Sequence, residues 1–287
     1  MVIGRVVELW RYPVKSMAGE QLRRSAVGAR GIPGDRGWAL RDEVAGEIRG
    51  AKKLPALLRC AARYVEEPSD DRIPPAEITF PDGERLRTDQ PEATARLSTL
   101  LGRRVTLWPL QPPENVEHYR RGAPDDPDME KELRGVFGRL EEEPLPDLSG
   151  IPQEIFTYTS IPGTYFDVLP LHLLTTATLA ELGRRNRTSS FHPRRFRPNI
   201  LIELDDREAG FAEVDWSGRT VTVGGAGVRV QYPTPRCVMT TLPQQDLPKD
   251  PQVLRTIVQD AQQNVGVYAD VVTPGTIAVG DRVELAD

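Results

Sequence analysis

Residues 228–232 alternate apolar and polar side chains, the period of a half-buried strand, and run directly into Pro233 and Pro235. Neither proline has an N–H to offer a ladder, so pairing is expected to stop there in a rigid turn. That turn holds Cys237 at the end of a sheet, with Arg236 beside it. A free thiol titrates near ~8.5, and an adjacent cation lowers that value. A thiolate so placed is a nucleophile or a soft ligand for a metal; the alternative is a small buried apolar residue.

Comparable short runs punctuate the whole chain. Residues 2–10, 22–27, 38–41, 60–65, 77–80, 85–88 and 104–108 read as strands, with Pro81, Asp82 and Gly83 as a hairpin turn. A helix over 91–101 opens on Pro91 and closes at Gly102. Further on, 199–204, 210–214, 220–223, 228–232, 268–272 and 282–285 read as strands. From His172 a strand end passes into a helix closed by Gly183, with Thr175 or Thr176 as its N-cap. Asp250 and Pro251 start another helix, to about residue 264. Gly224, Gly225 and Gly227 lie between two strands with no helix following, so they form a hairpin turn and not a dinucleotide loop. Many short strands with few helices predict an α+β, β-rich fold of small barrels or curled sheets.

A length of 287 residues suits two domains. Residues 109–152 hold eight prolines and eleven acidic residues, which predicts a linker or long surface excursion between domains at 1–108 and 153–287. A net charge of −5 argues against general nucleic-acid binding, which needs a basic surface. Cys60 and Cys237 form no framework, and with no signal or membrane segment at the N-terminus a cytoplasmic location is expected. His118, His172 and His192 are scattered, without the spacing of a zinc site.

One local excess stands against the acidic balance: six arginines fall between Arg184 and Arg197. Arginine grips phosphate through a planar fork of donors; the alternative is a solvated basic face. Lys15 and Ser16 follow the first strand, and Arg36 follows Gly34 and Asp35 in a turn whose backbone N–H groups can form an anion nest. Cations for a phosphate and a thiolate for a soft centre would both suit a metal held by a phosphorylated pterin dithiolene. Sequence chemistry does not by itself select molybdenum over other anionic ligands.

Tyr12, Pro13, Val14, Lys15 and Ser16, then Gly34, Asp35, Arg36 and Trp38, Arg197, Pro198 and Asn199, Arg236 and Cys237 with Thr240 and Thr241, and Pro274 and Gly275 through Gly280 and Asp281 occur in this order. The chain resembles the MOSC-domain family with an N-terminal MOSC β-barrel domain, the type that includes the mitochondrial amidoxime-reducing component. The resemblance implies two β-barrel-like domains with a molybdenum cofactor (Mo-molybdopterin) between them. It implies Cys237 as the protein ligand to molybdenum and the catalytic centre. It implies Lys15, Ser16, Arg36, Arg197, Asn199 and Arg236 as holders of the pterin and its phosphate, with Thr175, Thr176 and Tyr268 as further contacts. The implied reaction is two-electron reduction of an N-hydroxylated small molecule, a hydroxylamine or amidoxime, to the amine or amidine with release of water.

Three departures accompany the resemblance. Met17 stands where relatives often carry cysteine. The loop after Thr241 departs from the amidoxime reducers' pattern beside the cysteine. The chain carries no cysteine set for an iron–sulfur cluster, so electrons are expected from a separate electron-transfer protein or reductase. A monomer is expected, without membrane or nucleic-acid partners. A non-catalytic carrier of the cofactor or of sulfur, or a module binding an anionic ligand, are the alternative functions.

Overall fold

The computed structural model describes residues 1–149, 152–205 and 210–286; Gly150 and Ile151 in the acidic segment, residues 206–209 and the terminal Asp287 lie outside them. Seven strands close a barrel in the order Ile200–Leu204, Leu171–Thr175, Asn264–Thr273, Ala226–Pro235, Thr220–Val223, Arg282–Leu285 and Val2–Arg11, and the last pairs back onto the first. Alternation along each strand sends one set of side chains inward. Val6, Leu9, Leu173, Ile202, Val230 and Val267 are among those that fill the barrel. Each buried side chain of this size contributes about 1.5–3 kcal/mol. The pairings are antiparallel except that of Leu171–Thr175 with Ile200–Leu204, which is parallel and needs a crossover. The helix Thr176–Arg185 supplies it.

The first strand therefore completes a barrel built otherwise from the C-terminal half of the chain. A second core lies beneath two three-stranded sheets, one pairing Trp38–Asp42 with Glu47–Ile48 and Val105–Pro109, the other pairing Ala61–Tyr64, Ala76–Thr79 and Arg85–Arg87. Leu40, Leu57, Leu58, Ile78 and Leu97 pack there, with Leu97 coming from the helix Pro91–Leu101. Gly102 ends that helix in the left-handed conformation at φ +61°, as its position after the last apolar residue predicts. The architecture is thus β-rich α+β, in two barrel-like units, as the pattern of short strands predicts. Among the described residues no helix is long and apolar enough to cross a membrane.

Several local expectations are corrected. The strand ending in the proline pair does not stop at Tyr232 but runs to Pro235, pairing Pro233 with Val267 and Pro235 with Asn264. The register shifts between Val230 and Tyr232 and again between Pro233 and Pro235, so bulges remove the need for the missing N–H groups. Residues 210–214 are not a strand: Ala212–Trp216 is a 3₁₀ turn that buries Glu213 and Trp216. The span 22–27 divides into Glu20–Leu22, which joins the first strand, and Arg24–Val27, which pairs with Gly275–Ala278. Gly275 is required there, since a Cβ would lie 2.0 Å from the Gly225 carbonyl oxygen. The crossover helix passes Gly183 and ends at Arg185, and the helix Pro251–Asp260 stops short of 264, where Asn264 already belongs to a strand.

The acidic segment carries two short helices, Val116–Tyr119 and Met129–Phe137. Asp128 caps the second by accepting from the Glu130 and Lys131 amides. The segment is tied to both units: Arg49 donates to Asp125 at 2.6 Å, and Arg139 donates to the Arg236 carbonyl at 3.0 Å.

Candidate cofactor site

A cavity of 600 Å³ opens between the units, lined by the loop after the first strand, the turn at Arg36, the Cys237 loop and the acidic segment. Val2–Arg11 delivers the chain into Tyr12–Met17, and Lys15 N–H bonds the Trp38 carbonyl at 2.8 Å, anchoring this loop to the second core. Three residues of the lining, Ser16, Arg36 and Arg197, sit at φ +70°, +50° and +56°. Left-handed backbone at a non-glycine residue costs about 1–2 kcal/mol, so the fold holds these positions against a local preference.

The ring of Tyr12 organises the cations. The Arg36 guanidinium lies 4.4 Å from its centroid and that of Arg197 4.2 Å. Burial, followed by the neighbouring charge of Arg36, pushes Arg197 down to about 10, so it stays protonated at neutral pH. Arg197 Nη1 donates to the Met17 carbonyl at 2.5 Å, while Nη2 is buried without an acceptor among the described residues. Asp35 pairs with Arg36 and accepts from the Tyr12 amide at 2.7 Å and from Asn199 Nδ2 at 2.9 Å. Asn199 Oδ1 in turn accepts from the His172 amide at 3.1 Å, so this side chain braces the cavity wall.

Lys15 Nζ donates to Asp167 Oδ1 at 2.6 Å and to the Tyr165 carbonyl at 2.8 Å, and Lys52 Nζ lies 3.4 Å from Asp167 Oδ2. Burial in the cavity would push the Asp167 carboxyl up, but the two lysines overcome it and hold the group well below the ordinary range. Asp167 raises the Lys52 ammonium in return. Two cations thus share one carboxylate, which leaves positive charge for an anion.

Arg236 spends its donors on protein. Nε reaches the Val265 carbonyl at 2.9 Å, Nη1 the Phe196 carbonyl at 3.2 Å, and Nη2 contacts His172 Nε2. Desolvation, followed by the Arg236 charge, holds His172 far below its usual value, so the imidazole is neutral and accepts from Arg236. Cys237 is half-buried, extended at φ −118°, and borders the cavity where its loop packs on the second core. Burial in the second core pushes the other thiol, Cys60, up to about 11, and Cys60 does not line the cavity. Tyr268 lines the cavity with its hydroxyl pushed up to about 12 by burial, so it is a neutral donor at physiological pH.

The cavity therefore gathers Lys15, Ser16, Arg36, Arg197, Asn199, Arg236, Cys237 and Tyr268. Thr175 and Thr176 are not among its lining residues. Thr175 caps the crossover helix, accepting from Thr178 N–H at 3.1 Å, and its hydroxyl donates to Glu213 at 2.8 Å. Burial raises the Glu213 carboxyl, so its ionisation disfavours folding above about pH 4.5. Glu213→Gln is accordingly expected to raise the thermal midpoint at pH 7, and the gain should shrink as pH falls towards 4.5. Midpoints that coincide across that range would contradict a buried charge at this site.

The arginine run divides. Arg184 and Arg185 pair with Glu181 at the exposed helix end, Arg194 pairs with Asp246, and Arg195 clamps the cysteine loop through the Thr240 and Pro248 carbonyls. Arg197 alone of these five combines a place in the cavity with a guanidinium nitrogen that has no acceptor. Sequence reasoning missed Lys52, Asp167 and Arg139. A lysine two residues after Gly50 was a usable signal for the first; the others sit in loops without a pattern.

Comparison with known proteins places the two units. A MOSC domain model matches residues 164–284, and a MOSC N-terminal beta barrel domain model matches residues 3–111. The chain is 25% identical to human mitochondrial amidoxime reducing component 2 over 98% of this chain and 83% of that protein. Among solved structures, the YuaD protein of Bacillus subtilis is 11% identical over 99% of this chain and 95% of its own, at a TM-score of 0.45. YiiM of Geobacillus stearothermophilus is 22% identical over 41% of this chain and 54% of its own, at 0.32. With the two domain models spanning residues 3–111 and 164–284 in the order the motifs run, the chain belongs to the MOSC-domain proteins that carry an N-terminal MOSC beta barrel domain.

Proposed function

We propose that this cavity binds a molybdenum cofactor and that the protein reduces N-hydroxylated compounds with electrons from a separate electron-transfer protein. The observation that carries the reading is one cavity holding a half-buried cysteine together with a buried guanidinium nitrogen that lacks an acceptor. The donor set fits the group. Lys15, Lys52, Arg36 and Arg197 would hold a phosphate, and Cys237 offers the soft sulfur that molybdenum prefers. When bound, the cofactor supplies two-electron redox chemistry at the metal. The human relative's name, an amidoxime reducing component, supports N-hydroxylated substrates.

The chain's own residues bind and orient. The lysines and arginines neutralise the phosphate, and the Tyr12 ring keeps two guanidinium planes in place for it. Asp167 raises the Lys52 ammonium, opposes the burial that pulls Lys15 down, and ties both lysines to the cavity wall. Tyr268 presents a proton on its hydroxyl, available as a hydrogen-bond donor to a substrate oxygen. Overall, the N–O bond breaks, two electrons and two protons enter, and the oxygen leaves as water.

Protein purified from a host that makes the cofactor is expected to contain close to one molybdenum per chain by elemental analysis. It should reduce amidoximes with an artificial electron donor. Metal-free protein from such a host would overturn the reading. Full metal content with no reduction of any hydroxylamine or amidoxime would favour a carrier.

A further inference from the structure

The cavity has two chemistries. Its floor is cationic, while the wall contributed by the acidic segment is apolar. Met129, Leu133, Val136 and Phe137 fall on one face of the helix Met129–Phe137, and all four line the cavity together with Ile155 and Phe156. None of the helix is buried in a protein core, and Met129 and Phe156 remain 56% and 52% exposed. Apolar groups held half-open around a concave site are what a ligand's own apolar surface would cover.

The wall is also held off from collapse. Asp128 caps the helix, Lys53 pairs with Glu132, and Arg255 pairs with Glu143 and bonds the Gly138 carbonyl. Arg139 fastens the following turn to the Arg236 carbonyl. A preorganised surface loses little freedom when a ligand covers it. Residues 112–163, which carry this wall, lie between the two ranges matched by the domain models, so the wall belongs to this chain's connecting segment.

We propose that this wall is a tail pocket. On the reductase reading above, on which this inference rests, the preferred substrates are N-hydroxylated compounds that carry an extended or bulky apolar group. Leu133, Val136, Phe137, Ile155 and Phe156 set that preference. The N–OH head faces the floor, where the cofactor would be held beside Cys237, and the tail lies along the helix.

The test is calorimetric titration of the holoprotein with straight-chain amidoximes from propanamidoxime to octanamidoxime, and with the matching amides, which lack the N–OH and cannot be reduced. Affinity is expected to rise about threefold per added methylene in both series. Leu133→Gln and, independently, the exposed-site variant Phe156→Gln should flatten the gradient by half or more while leaving the shortest ligand unchanged. Affinity that does not depend on chain length in the parent protein, or a gradient in both variants equal to the parent's, overturns the tail pocket. A retained gradient in a protein that reduces nothing supports the tail pocket and removes only the reductase reading. Reduction of amidoximes with a flat gradient does the reverse.

Discussion

Cys237→Ser is expected to leave the fold intact and to reduce amidoxime turnover by more than about 100-fold, beyond what loss of a supporting contact around a metal costs. The fold should survive because Cys237 is only half-buried, at the rim of the second core, and serine is close in volume. Activity should not survive because serine oxygen is a hard and poorly ionised ligand where a soft one is proposed. The informative readout is paired: turnover with an artificial donor, and metal content of the same sample. Turnover within a few-fold of the parent would remove Cys237 from the chemistry. Cys60→Ser is the control, since that thiol lies in apolar core away from the cavity. It should cost stability and leave turnover per folded protein unchanged.

The second large effect concerns the phosphate grip. Arg36 and Arg197 flank the Tyr12 ring at 4.4 and 4.2 Å, and Arg197 Nη2 has no acceptor among the described residues. A charge-assisted hydrogen bond contributes about 1.5–3 kcal/mol. The double variant Arg36→Ala with Arg197→Ala should therefore lose pterin affinity by roughly 10²- to 10⁴-fold. Pterin fluorescence after oxidation of gel-filtered protein measures this without relying on activity. Arg36→Ala leaves the buried Asp35 carboxylate without its ion-pair partner, and alanine relieves neither left-handed position, so the thermal midpoint of the cofactor-free protein should fall and retention is compared per folded protein. Full pterin retention in the double variant would show that the arginines only brace the loop.

Much of the fold was legible because strand alternation and glycine or proline punctuation are local. The runs at 220–223, 282–285 and 2–10 reappear as strands, and Gly224 and Gly225 of the glycine stretch form the hairpin turn between Thr220–Val223 and Ala226–Pro235. What misled was local too. Pro233 and Pro235 read as stops, yet two register shifts carry the strand through them. Of the two cap candidates, Thr175 and Thr176, it is Thr175 that caps the helix, and its hydroxyl also donates to Glu213. The arginine run looked like one phosphate site, but Arg184, Arg185, Arg194 and Arg195 find carboxylates or carbonyls elsewhere.

By itself the sequence determined which segments are strands, where the anion-binding side chains stand along the chain, and that one cysteine follows a strand end. Those are properties of neighbours in sequence. Only the tertiary structure decided that the first strand closes the C-terminal barrel, that Lys52 and Asp167 join Lys15, and that the acidic segment forms an apolar wall over the site. The physical reason is that such pairings depend on which charges and surfaces remain unsatisfied once the barrel has closed, and residues separated by more than a hundred positions carry no local mark of it.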